Sequence, residues 1–234
     1  MNKEEDEYAT LLYQLHLSYK HARKNKRNTQ NQLAFELNQE EELFKLATQI
    51  QNRTYRPKPS IAFIVYKPVQ REIFAADFSD RVVHHLIYRS IYHYIDKQLI
   101  NDAYSCRKNK GTLYGINRVD KFMRSCTHNY TKEAYVLKLD IEGYFMNMSH
   151  QIIYDKIIEL LPSNKTSFLG IKRESLFFLL KQTIFNDVVT NCRIKGSKND
   201  WKGLPPSKSL FNKPKGVGLP IGNLTSQVFG NVYL

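Results

Sequence analysis

Between residues 80 and 99, Val83, Leu86, Ile87, Ile91, Tyr94, Ile95 and Leu99 recur at helical spacing, which is the mark of one buried helix face. A helix of that length needs a broad apolar surface to lie against, so the rest of the chain must supply packed layers around it. Tyr8, Leu11, Leu12, Leu15 and Tyr19 repeat the period near the start, and the cations Lys20, Arg23, Lys24, Lys26 and Arg27 follow. That cluster suits either a phosphate or the negative end of a helix dipole. Asn31 is placed to cap a second helix reaching residue 51, with Leu43, Leu46, Ala47 and Ile50 as its core stripe.

Two prolines at positions 57 and 59 precede the β-branched and aromatic run 61–66, which predicts a turn and a strand, with a second strand after Gln70. Residues 134–140 read as a compact apolar strand. Ser149 is placed to cap a helix to Leu160, and residues 172–181 read as another helix. From 193 to 215 seven Lys or Arg meet one acid, Asp200, while Gly203, Pro205, Pro206 and Pro214 interrupt regular structure. This is a basic loop or long hairpin. With no internal repeat, low-complexity tract or flexible linker, the pattern predicts a mixed α+β fold.

The chain carries 35 Lys and Arg against 22 Asp and Glu, a formal net charge of +13. Such a balance favours a polyanion, nucleic acid first, although a Lys-rich solvated surface gives the same count. At 42% hydrophobic and 24% charged residues the composition is globular rather than disordered. Cys106, Cys126 and Cys192 form no CxxC pair, so neither a zinc site nor a disulfide framework is expected and a reducing, cytoplasmic setting fits. The N-terminus has acids ahead of its apolar residues and no cleavage signal, and no apolar run reaches membrane length. A soluble, unexported protein without a membrane partner is expected.

Two stretches carry chemistry. In YVLKLDIEGYFMNMSH, residues 135–150, the predicted strand ends on Asp140. A carboxylate there suits Mg²⁺, which takes oxygen ligands and shares them with substrate phosphates, although a lone Asp is more often a cap or turn residue. In GLPIGNLTSQVFGNVYL, residues 218–234, glycines and small polar residues lead into an apolar helix signal. Glycine lets backbone approach a ligand, helix-start amides suit phosphate, and Ser226 and Gln227 offer side-chain hydrogen bonds. The plain alternative is a loop entering a capped helix.

In this order and at this separation, the two stretches resemble adjacent sequence blocks of reverse-transcriptase palms. The resemblance implies that Asp140 binds two catalytic Mg²⁺ ions with help from the Ile141 carbonyl. Phe145 would be the steric gate against a 2′-hydroxyl, and Gly222 and Gln227 would contact the nucleotide. IGNLTSQ has Ile221 where the commoner pattern has Gln, and Gln227 where it has Pro. That variant is similar to the enzymes of diversity-generating retroelements, and Ile221 would then loosen fidelity. Upstream, KPVQREIFAADFSDRVVHHLIYRSI and DAYSCRKNKGT resemble fingers blocks. By that likeness Lys67 and Arg71 would grip the triphosphate, while Arg81, Arg107, Lys110 and Gly111 would meet the template. His84 and His85 read as structural.

The resemblance therefore implies the fingers and partial palm of a right-hand polymerase, with fingers and N-terminal helices over 1–132 and palm over 133–234, including the basic insertion. The activity implied is RNA-directed DNA polymerisation, a nucleotidyl transfer on an RNA template and DNA primer with dNTPs, and an accessory protein is a further expected partner. RNA recognition would rest on shape, phosphates and 2′-hydroxyls. The family's Tyr-x-Asp-Asp carboxylates do not occur in these 234 residues, and the family's thumb is expected to be missing from them as well. The expectation is an N-terminal fragment, inactive alone and prone to self-association. The alternative is a non-catalytic basic nucleic-acid-binding or scaffold protein built on the same framework. A retron, group II intron or phage-defence enzyme is a further branch, the intron branch fitting IGNLTSQ least.

Overall fold

The computed structural model describes residues 3–24 and 29–233. Eight α-helices and five short strands follow one another among them: α1 (Lys3–Arg23), α2 (Gln30–Leu37), α3 (Gln39–Gln51), β1 (Ser60–Val65), β2 (Arg71–Ala75), α4 (Phe78–Gln98), α5 (Thr112–Cys126), α6 (His150–Leu160), β3 (Ser167–Phe168), β4 (Ile171–Lys172), α7 (Arg173–Ile184), β5 (Cys192–Ile194) and α8 (Leu224–Tyr233). The fold is mixed α and β, as expected. Lys26 and Arg27 of the basic cluster lie outside the described residues.

Helix α4 is the axis of the molecule. Asp77 caps it by accepting from the Ser79 amide at 3.0 Å, and Val82, Val83, Leu86, Ile87 and Ile91 are fully buried. Around it pack α1, α2, α6, α7 and α8. Their apolar stripes form one cluster that runs from Leu11 to Val232 and so draws on both sides of residue 132. No helix of the described residues is long and apolar enough to cross a membrane.

Strand β1 lies in the middle of a three-stranded sheet of order β2-β1-β5. It pairs antiparallel with β2, from Ile61 opposite Ala75 to Val65 opposite Arg71, and parallel with β5, Ser60 opposite Cys192. The parallel pairing draws the basic segment 193–215 onto the sheet. Of the two forms expected for that segment it takes the loop, interrupted by three short 3₁₀ turns, and the buried carboxylate of Glu72 holds it in place. It accepts from Trp201 Nε1 at 2.6 Å, Ser209 Oγ at 2.7 Å and the Leu210 amide at 2.7 Å.

Two expectations are corrected. The single helix of 31–51 is two, broken at Asn38, whose backbone leaves the helical region (φ −122°, ψ 35°). Asn31 lies inside the first of them, and Thr29 holds the N-cap position. The strand of 134–140 does not form: the segment is irregular, with Tyr135 93%, Leu137 82% and Leu139 80% exposed. Local β-propensity is not enough for a strand, which needs a neighbour for its backbone groups, and none lies beside this one among the described residues.

Candidate functional site

The Leu219–Asn223 loop is stitched to the end of β2. The Phe74 amide donates to the Ile221 carbonyl at 3.0 Å, and the Ala76 amide donates to Asn223 Oδ1 at 3.2 Å. Gly222 sits at φ +118°, and a Cβ there would come within 2.9 Å of Ile73 Cγ2. Only glycine lets the loop lie this close to the strand. Ile221 packs against the small cluster of Ala62, Phe74, Met146, Val188 and Leu210.

Helix α8, which this loop enters, gathers the other expected groups. The Leu219 amide donates to the Phe145 carbonyl and the Gly218 amide to the Met148 carbonyl, both at 2.8 Å. The half-buried ring of Phe145 lies against α8 so closely that a Cβ on Gly230 would be 3.1 Å from its Cε1. On another side Cys106 Sγ donates to Gln227 Oε1 at 3.4 Å, and Asn231 Nδ2 donates to the Ser105 carbonyl at 2.8 Å. Ile221, Gly222, Gln227, Phe145 and the 101–111 loop therefore meet around one helix, along its length from Gln227 to Asn231. Arg71 opens β2, the strand carrying the stitched loop, and Lys67 lies in the β1–β2 turn. Both are exposed, and no hydrogen bond or ion pair engages either side chain among the described residues.

The cations expected to meet the template are instead committed within the fold. Arg81 Nε donates to the Ala76 carbonyl at 3.0 Å, and burial lowers its pKa. Arg107, only 7% exposed, pairs with Asp96 at 2.7 Å and donates to the carbonyls of Ile100 at 2.6 Å and Ala103 at 3.1 Å. Lys110 Nζ donates to the backbone carbonyl of Asn101 and, at 3.1 Å, to its Oδ1. These contacts close the 99–111 loop on itself. Gly111, at φ +145° with open space where a Cβ would stand, remains accessible ahead of α5.

Two buried carboxylates escaped sequence reasoning. Glu72 is one, and its signal is its place on the inward side of β2 with Phe74. Asp80 is the other: it accepts from Tyr55 Oη at 2.7 Å and the Lys58 amide at 2.9 Å. Burial, reinforced by the charge of Asp77, pushes its carboxyl up to about 7 against the two hydrogen bonds that oppose the shift. His84 is buried, and burial pulls its imidazole down to about 3, so it is neutral. His85 lies 6.3 Å from His21 in a stacked pair.

Asp140 stands apart. It lies on the exposed 134–141 segment, five positions before Phe145, together with Ile141, which is 53% exposed. The described residues bring together no group of three His, Cys, Asp or Glu side chains able to hold a metal. A pair of Mg²⁺ ions about 4 Å apart needs bridging carboxylates on several sides, and Asp140 with one carbonyl does not provide them. No family model matches the chain, and a comparison with curated proteins finds no match.

Proposed function

We propose that this chain handles nucleotide and template for an RNA-directed DNA polymerase of reverse-transcriptase type, as its fingers and part of its palm. The observation that carries the reading is the junction at α8. There the Ile221-Gly222-Asn223 loop, Gln227 and Phe145 come together beside the strand whose first residue is the unengaged Arg71. Open cations beside a glycine-bearing loop suit a triphosphate, because they neutralise phosphoryl oxygens while the loop admits the sugar and base. The ring of Phe145, held against Gly230, is a fixed wall for a sugar to meet.

Titrating dATP and ATP into the chain with an RNA–DNA template–primer tests this. Lys67→Ala and Arg71→Ala should each weaken dATP binding about tenfold, the cost of one charge-assisted contact, and Phe145→Ala should narrow the gap between dATP and ATP. Binding of the duplex with no nucleotide dependence, or variants equal to the parent, would overturn the proposal. That outcome would favour a non-catalytic basic nucleic-acid binder, which the net charge of +13 also suits.

A further inference from the structure

We propose that one water molecule is a fixed part of this protein, held beneath the Leu219–Asn223 loop between His84 of α4 and Thr183 of α7. His84 Nδ1 and Thr183 Oγ1 are both shielded from solvent, and among the described residues no protein group bonds to either. The two residues line the same cavity, together with Asp80, Asn223 and Ser226. His84 is only 7% exposed. A buried hydroxyl on a helix commonly turns back to a carbonyl of its own helix, as Ser90 does toward the Leu86 carbonyl at 2.8 Å. Thr183 does not, so its hydroxyl is left for the cavity.

Size and charge select the occupant. The cavity measures about 20 Å³, and a single water needs roughly 10–15 Å³, so there is room for one water and none for an organic ligand. Burial pulls the His84 imidazole down to about 3 and pushes the Asp80 carboxyl up to about 7. Below neutral pH the lining therefore holds no charge for a cation. A neutral imidazole nitrogen either donates or accepts, and a hydroxyl does both. Water answers each of them, and buried polar groups that protein does not satisfy are as a rule satisfied this way. Leu219 and Pro220 also line the cavity, so the water is the floor of the loop that enters α8. This inference does not rest on the polymerase reading, and its test uses neither nucleotide nor template.

Magnetic relaxation dispersion of the solvent counts long-lived internal waters, and the full chain is compared with Thr183→Val and Thr183→Ser. The serine variant keeps the hydroxyl and should match the parent, while the valine variant should hold one water fewer. Urea unfolding adds a test of sign. With the water in place, Thr183→Val removes a hydrogen bond that is made and should raise the unfolding equilibrium constant about fivefold. A hydroxyl with no partner gives the opposite sign, because its removal relieves a stranded polar group. A crystal structure of the parent decides without any variant: an ordered water within hydrogen-bond distance of both His84 Nδ1 and Thr183 Oγ1 supports the proposal. An empty cavity, a direct bond between the two side chains, equal water counts in parent and Thr183→Val, or a valine variant more stable than the parent would each overturn it.

Discussion

Replacing Glu72 by Gln keeps the shape of the side chain and removes one acceptor oxygen. Its Oε2 takes Trp201 Nε1 at 2.6 Å and Ser209 Oγ at 2.7 Å, and its Oε1 takes the Leu210 amide at 2.7 Å. Ser209 can rotate and accept, but the indole and the amide only donate. Either orientation of a glutamine therefore turns an N–H toward a donor. The loss is one charge-assisted bond, about 1.5–3 kcal/mol, plus one stranded buried donor, about 1–3 kcal/mol. A total of about 3–5 kcal/mol is a large share of a domain's usual margin. Trp201 is the only tryptophan in the chain, so its fluorescence during urea unfolding reports on this node directly. The variant should show a red-shifted Trp201 and an earlier fluorescence midpoint, with the helical signal following later if the 193–215 segment releases first. A fluorescence transition within about 0.5 kcal/mol of the parent would refute the assignment of Glu72 as the anchor.

Gly222→Ala should destabilise by about 1–3 kcal/mol in thermal or urea unfolding, since its φ of +118° and the 2.9 Å approach of Ile73 Cγ2 both oppose a side chain. Asp80 sets a pH dependence: its folded carboxyl holds its proton up to about 7, against an ordinary value of 3.8. The folded state thus binds more protons between those values, and stability should fall as pH rises from 4 to 7, then level off, a total of roughly 4 kcal/mol. In Asp80→Asn that slope should flatten, and an unchanged slope would sink the assignment. Arg107→Ala should cost about 2–3 kcal/mol of stability by removing the staple of the 99–111 loop, measured by urea unfolding; a purely template-contacting arginine would leave stability unchanged.

Helix α4 was legible because its apolar period is itself the burial pattern: Val83, Leu86, Ile87, Ile91 and Ile95 are all in the core. Helix α6 was legible to its cap, with Ser149 accepting from the Ile152 amide. Residues 134–140 read as a strand in sequence and form none, because propensity is local and strand pairing is not. Helix α5 had a signal in Leu113, Ile116, Val119 and Met123, masked by the basic stretch that leads into it. At the candidate site the glycine and loop positions could be read from sequence, but the cations could not be sorted. Arg71 and Arg107 look alike in a sequence, and only the fold gives Arg107 the partners Asp96, Ile100 and Ala103 while leaving Arg71 open. Glu72 and Asp80 were hidden for the same reason, since an acid's buried donors come from residues far along the chain.

The most direct test of the polymerase reading is primer extension on an RNA template with dNTPs and Mg²⁺, run on the natural gene product and on its Asp140→Ala variant. The account predicts extension by the parent and none by the variant. A parent that binds template–primer but adds no nucleotide, or a variant that extends as well as the parent, would contradict it.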